Sequence, residues 1–197
     1  MAKLYYQGHG SFRITADCGK VIYVDPYAGD GYDPAADLIL VTHAHEDHNC
    51  VHLIENRAEG CTLITEKEAL AQGKHQSFDL GWVQVTAVKA QNKNHDPAKC
   101  VGYLITLDGT SVYAAGDTSK FDEMADLAAM QLDWALLPTD GQYNMGPEEA
   151  AECAALIGAK HTVPIHTDPY SLYDAEQAAR FTALSRVFLR PGETLPL

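Results

Sequence analysis

Four side chains that readily bind metal ions, His43, His45, Asp47 and His48, lie within the stretch Thr42-His43-Ala44-His45-Glu46-Asp47-His48. His43 and His45 are two apart, so an extended backbone points both imidazoles to the same side. Asp47 and His48 follow once the chain has begun to turn, and can face that pair across a narrow gap. Imidazole nitrogen with carboxylate oxygen suits zinc, iron or manganese better than calcium or magnesium. At this density the residues would otherwise only crowd partial positive charge at a strand end, with nothing nearby to gain from it. Metal binding is the reading that accounts for them.

The elements that must position this stretch can be read outward from it. Leu38-Ile39-Leu40-Val41 is an apolar run that reads as a buried strand emptying into the histidines. Val21–Val24 is another strand, ending in Asp25-Pro26-Tyr27. Asp25 there could orient a metal-binding imidazole, which needs its other N–H fixed, or could belong to a simple Asp-Pro turn. Short strands over Lys3–Gln7 and Ser11–Thr15 flank Gly8-His9-Gly10, and His9 reads as a turn histidine, with a supporting place at the site as the alternative. The Gly/Asp/Pro-rich loop from Ala28 to Ala36 should lie at the same end, with Tyr27, Tyr32 and Asp33 as candidate substrate contacts.

Beyond the central stretch, the spacing predicts a helix over Val51–Arg57, a strand over Cys61–Thr65 and a short helix over Glu66–Gln72. His52 and His75 read as surface residues, and Cys50 as packing rather than ligation. A strand over Trp82–Val88 leads into the polar loop holding His95. Val101–Leu107 and Ser111–Ala115 form a hairpin closed by Asp108-Gly109, running on into Gly116-Asp117-Thr118. A helix over Phe121–Met130, a strand over Trp134–Leu137 and a helix over Pro147–Ile157 follow; in the last, acidic residues sit at the positive end of the dipole. The strand His161–Ile165 precedes His166, leaving His161 a structural residue. A helix over Asp174–Leu184 and a strand over Val187–Leu189 complete the reading.

His43 to His48, HAHEDH, resembles the HxHxDH motif of the metallo-β-lactamase superfamily. GHGSF (residues 8–12), GDT (116–118) and PIHTDPY (164–170) agree in order. The nearest group is that of small single-domain hydrolases resembling the ascorbate-6-phosphate lactonase. The resemblance implies an α+β fold, a four-layer αβ/βα sandwich, as one domain over residues 1–197. It also implies two divalent metal ions, Zn2+ first, with Mn2+ or Fe2+ as alternatives. His43, His45 and His95 would hold one ion, Asp47, His48 and His166 the other, and Asp117 would bridge them. Asp25 matches the aspartate that orients a ligating histidine. Gln142-Tyr143-Asn144-Met145-Gly146 resembles the family's loop between the Trp134–Leu137 strand and the next helix but departs from its pattern at Asn144; Tyr143 and Asn144 are candidate substrate contacts. The implied activity is hydrolysis of an ester-type bond in a small molecule, a lactone or a phosphodiester, by a metal-bridging hydroxide, with Asp47 as ligand and proton handler. His45 stands where the diiron redox branch carries a carboxylate, so a non-hydrolytic metal-binding or redox protein is the weaker alternative.

Composition narrows the partners. The chain has 197 residues, with 27 acidic residues against 14 Lys and Arg and a formal charge of −13. Such a surface repels nucleic acid and anionic lipid, both of which need a Lys/Arg footprint. A small-molecule substrate is expected, with no nucleic acid and no membrane; a homo-oligomer is compatible with the resemblance. The start lacks the apolar core of a signal peptide, and the 5 scattered cysteines contain no CxxC pair. The expected location is cytoplasmic, with reduced thiols.

Overall fold

The computed structural model describes residues 1–197. Twelve strands form two six-stranded sheets. The first holds β1 (Lys3–Gly8), β2 (Ser11–Thr15), β3 (Val21–Val24), β4 (Ala36–Leu40), β5 (Arg57–Ile64) and β12 (Thr194–Pro196), ordered β12-β1-β2-β3-β4-β5. The second holds β6 (Ser77–Asp79), β7 (Gln84–Lys89), β8 (Val101–Leu107), β9 (Thr110–Ala114), β10 (Trp134–Pro138) and β11 (His161–Ile165), ordered β6-β7-β8-β9-β10-β11.

Side-chain alternation explains why the sheets stack. Leu38 and Leu40 of β4, Ile22 and Val24 of β3, Tyr103 and Ile105 of β8 and Leu136 of β10 all enter one inter-sheet core of 26 buried residues. Their neighbours Tyr23 and Ile39 face outward on the first sheet, and Tyr113, Ala135 and Leu137 do so on the second. The outer face of the second sheet is covered by α2 (Pro147–Ile157), by a 3-10 segment over Asp122–Met130, and by Phe181 and Ala183 just after α3 (Ala175–Ala179). The outer face of the first carries a thinner cover: a 3-10 turn over Val51–Leu53, and Tyr32 stacked on Tyr23. The remaining helix, α1 (Glu66–Ala69), sends Ala69 into the inter-sheet core. Two mixed sheets with outer helices are the αβ/βα sandwich expected from the sequence. No helix is long and apolar enough to cross a membrane.

The two sheets repeat one pattern. Taken in the order β12 to β5 and β6 to β11, each reads antiparallel, antiparallel, antiparallel, parallel, parallel. Strands β1, β3, β4 and β5 therefore share one direction, and so do β7, β9, β10 and β11. No repeat is visible in the sequence itself.

Several elements differ from the sequence reading. The helix expected over Val51–Arg57 is only the 3-10 turn, because the Arg57 guanidinium caps the carbonyls of Val51 and Ile54 and β5 begins at Arg57. The helix expected over Glu66–Gln72 breaks after Ala69, with Gln72 at φ 59°. Phe121–Met130 is 3-10 rather than α, since it buries Phe121, Met124 and Leu127 at the three-residue spacing of that helix. The helix expected to reach Leu184 stops at Ala179, and Phe181 drops into the core. Val187–Leu189 is not a strand, while β6 and β12, absent from the sequence reading, complete the sheet edges.

Candidate metal centre

Every segment of the site leaves the end of a strand that runs in the shared direction. His9 follows β1, Asp25 follows β3, and His43 to His48 follow β4. In the second sheet His95 follows β7, Asp117 follows β9, Asp140 follows β10 and His166 follows β11. Gly116 makes one of these exits possible: at φ 63° it has no Cβ, and a Cβ there would stand 2.8 Å from the Val101 carbonyl and 3.0 Å from Thr42. His9, Asp25 and His166 also hold positive φ, at 56°, 47° and 47°. Such a conformation costs a non-glycine residue on the order of 1 kcal/mol, and it clusters at functional sites.

All seven ligand candidates from the sequence converge. His43 Nε2 lies 3.0 Å from His45 Nδ1, which lies 3.2 Å from His95 Nε2. Asp117 stands between two groups: Oδ2 is 3.3 Å from His95 Nε2, and Oδ1 is 3.2 Å from His48 Nε2 and 3.7 Å from His166 Nε2. Asp47 Oδ2 is 3.9 Å from His48 Nε2 and 3.8 Å from His166 Nε2. Asp47 is one-third exposed, whereas Asp117 is buried.

The outward nitrogens fix the inward ones. His48 Nδ1 lies 2.9 Å from Asp25 Oδ2, and His95 Nδ1 lies 2.8 Å from Asn92 Oδ1. Thr42 donates its hydroxyl to Asp25 Oδ2, so its oxygen accepts from His43 Nδ1 at 3.0 Å. His166 Nδ1 faces Asp140 Oδ2 at 3.4 Å. With Nδ1 held to an oxygen, His43, His48 and His95 each offer the Nε2 lone pair to the interior, while His166 Nδ1 stands near Asp140 without a hydrogen bond. His48 Nε2, both ring nitrogens of His166 and Asp117 Oδ1 are buried there without a hydrogen-bond partner, a costly state that a cation would relieve. The donor set fits a divalent metal ion.

Electrostatics agree. Burial pushes His43 down to about 2, keeping the neutral imidazole that a metal requires. Burial would lower His48, but Asp117 and Asp25 reverse this and raise it well above the ordinary histidine range. Burial would likewise raise Asp117, and His48 and His166 instead hold it well below the usual carboxylate range. Protons thus gather where buried carboxylates lack a countercharge.

Asp25, open to two readings in the sequence, supports His48 and accepts the Thr42 backbone N–H at 2.7 Å. His9 is fully buried beside Asp47 and His166 rather than idle in a turn. Asn92 and Asp140 were missed; the sequence cue was a polar residue just upstream of a candidate ligand or just after a strand. Asn144 is buried, tying Asp140 to Asn92, while Tyr143 is exposed and meets Tyr170 hydroxyl to hydroxyl at 3.0 Å. Tyr27 lies against His9, Tyr32 pins that loop through the Ala28 carbonyl, and Asp33 stays at the surface. His161 stacks on Trp134; His52 and His75 are exposed; Cys50 bonds the Glu46 carbonyl.

Residues 3–166 match the family described as Beta-lactamase superfamily domain. A UPF0173 metal-dependent hydrolase of Thermococcus kodakarensis is 32% identical across all of both chains. One from Symbiobacterium thermophilum is 34% identical over 99% of this chain and 100% of its own. Among solved structures, Igni18, a metallo hydrolase of the archaeon Ignicoccus hospitalis, superposes with a TM-score of 0.79 at 28% identity, covering 98% of this chain and 97% of its own. YhfI of Bacillus subtilis shares the fold alone, with a TM-score of 0.73 at 16% identity over all of both chains. The converging strand ends, the histidine–carboxylate cluster and these full-length relatives lead to one assignment: the chain belongs to the metallo-β-lactamase superfamily.

Proposed function

We propose that the protein is a metal-dependent hydrolase that cleaves an ester-type bond, a lactone or a phosphodiester, in a small molecule. The observation that carries this is the set of buried imidazole nitrogens left without partners around Asp117, in a chain whose relatives are named metal-dependent hydrolases. In this reading His43, His45 and His95 hold one divalent ion, Zn2+ by donor type, and Asp47, His48 and His166 hold a second. Asp117, with one oxygen toward each group, belongs to both. Bound there, the ions supply Lewis acidity, lowering the pKa of water to roughly 7 and polarising the scissile group.

The chain's own residues do the rest. A cleft of about 410 Å³ opens beside His43, His45 and His95, lined further by Glu66, Asn94 and Lys99. Its size suits a small molecule, and the charge of −13 disfavours a nucleic acid. Asp47 is the carboxylate of the cluster open to solvent, and so the group placed to take a proton from water. Asp25, Thr42 and Asn92 keep His48, His43 and His95 turned inward.

The test is hydrolysis by metal-reconstituted protein of simple and phosphorylated lactones and a chromogenic phosphodiester, with Asp47→Ala as the blank. Turnover in either class, lost in the blank, is expected. Asp117→Ala and His48→Ala should lose activity and metal content together. Full turnover with both ions retained in either variant would sink the site assignment.

A further inference from the structure

His9 is the one imidazole in the cluster that the proposed ligand set does not use. Its side chain is fully buried, and its Nε2 lies 3.1 Å from Asp47 Oδ2. Its Nδ1 lies 3.1 Å from the Ser171 carbonyl oxygen, which can only accept, so Nδ1 carries the hydrogen. A neutral ring then directs the Nε2 lone pair at a carboxylate oxygen. Two acceptors then meet, and either a proton or a metal ion must stand between or beside them. His43, His48 and His95 show the same arrangement, Nδ1 tied outward to an oxygen and Nε2 delivered inward.

The repeated sheet pattern adds an independent argument. Strand β1 occupies in the first sheet the place of β7 in the second. The segment after β7 delivers His95; the segment after β1 delivers His9. Asp25 after β3 and Asp117 after β9 are matched in the same way. The chain also fixes His9 at every backbone group: its N–H donates to the Leu172 carbonyl at 2.6 Å, and its carbonyl accepts from His166 N at 2.7 Å and from the Tyr6 hydroxyl at 2.8 Å. A turn histidine has no need of such anchoring at φ 56°. The ligand-type atoms of His9, Asp47, His48 and His166 all lie within 4.8 Å of one another.

We infer that His9 is a further ligand of the metal centre, giving its Nε2 to the ion on the Asp47–His48–His166 side. The inference rests on the metal-centre reading above. It places three imidazoles on either side of Asp117: His43, His45 and His95 on one, and His9, His48 and His166 on the other. The second position is then the more fully enclosed by protein. The first is left facing the cleft, which is lined by His43, His45 and His95.

The test is Co2+ binding by the full chain, followed by competition with a chromophoric chelator and by the visible absorption of the bound ion. His9→Asn is the variant, since asparagine tolerates a left-handed backbone but is too short to reach. Wild type should bind two ions. The variant should hold one as tightly and the other at least about ten-fold more weakly, the scale of loss for residues that support a metal, with a changed spectrum for the second. Wild type binding no ion would overturn both this inference and the centre itself. Wild type with two ions, and His9→Asn with unchanged affinity and spectrum, would overturn this inference alone. Should His9→Asn not fold, nitrogen NMR of histidine-labelled wild type decides. A His9 Nε2 resonance that moves to the metal-bound range on loading supports the ligand, and an Nε2 that keeps a proton in the loaded protein overturns it.

Discussion

Asp25 accepts three hydrogen bonds, from the Thr42 backbone N–H, the Thr42 hydroxyl and His48 Nδ1. A carboxylate can accept all three; an amide has one oxygen and must turn its NH2 toward at least one donor. Asp25→Asn should therefore lower affinity for the ion nearest His48 by roughly 10–100-fold while leaving the fold intact, because asparagine tolerates the backbone at φ 47°. Metal titration followed by circular dichroism checks both parts, and unchanged affinity would remove Asp25 from the support of His48. At this scale the sequence was informative wherever several donors crowd one loop. His43, His45, Asp47 and His48 announce themselves by spacing, whereas Asp117, in a Gly-Asp-Thr that by itself reads as a turn, was picked out only through the resemblance. His9 and Asp140 did not announce themselves, because a lone histidine or aspartate in a loop has the same local sequence whether it faces solvent or a buried cluster. Only the meeting of distant strand ends separates the two cases.

Element-scale stability has two test points. Leu136 of β10 is fully buried between the sheets, and Leu136→Ala should cost about 2–5 kcal/mol in denaturant unfolding, from lost transfer energy and a residual cavity. A loss under about 1 kcal/mol would mean the sheets close over the gap. Asp133, just before β10, is held down the other way: burial pushes its carboxyl up, but the Lys160 ammonium and Ser111 outweigh this and keep it below the usual range. A carboxyl with a depressed folded pKa stabilises above its unfolded pKa of about 4, and that share is lost as pH falls through the folded value. Asp133→Asn should thus lose stability at neutral pH and show a shallower further loss on acidification, read by urea unfolding at about pH 7 and about pH 3. An acid limb as steep as wild type would assign that loss to other groups. The legible elements were those with local punctuation: α2 is bounded by Pro147 and Gly158 as read. Phe121–Met130 was misread as α because 3.0 and 3.6 residues per turn bury nearly the same positions over so short a run. Strands β6 and β12, three residues each, are too short for alternation to register.

For the whole molecule, the candidate centre draws on both sheets: His9, His43, His45, Asp47 and His48 come from the first, and His95, Asp117 and His166 from the second. An ion bound there would act as a cross-link between them, and stripping it leaves buried ring nitrogens and a carboxylate oxygen without partners. Chelation should lower the thermal midpoint by roughly 5–10 °C, the equivalent of about 2.7 kcal/mol for an ion present at 100 times its Kd. Differential scanning calorimetry with and without chelator, then with metal restored, reads this directly. An unchanged midpoint would mean the ions add nothing to the folded state. The repeated sheet pattern carries a further consequence, for synthesis. The first sheet is completed by β12, drawn from the far end of the chain, where Leu197 N–H reaches the Ala2 carbonyl. While the ribosome is still at work, β1 keeps a bare edge, and Lys3 is the one charge on that strand to discourage pairing with another nascent chain. The second sheet, built from consecutive strands, can close first. The first sheet thus closes from its latest strand back to its first, and the longest wait falls on the strand that delivers His9.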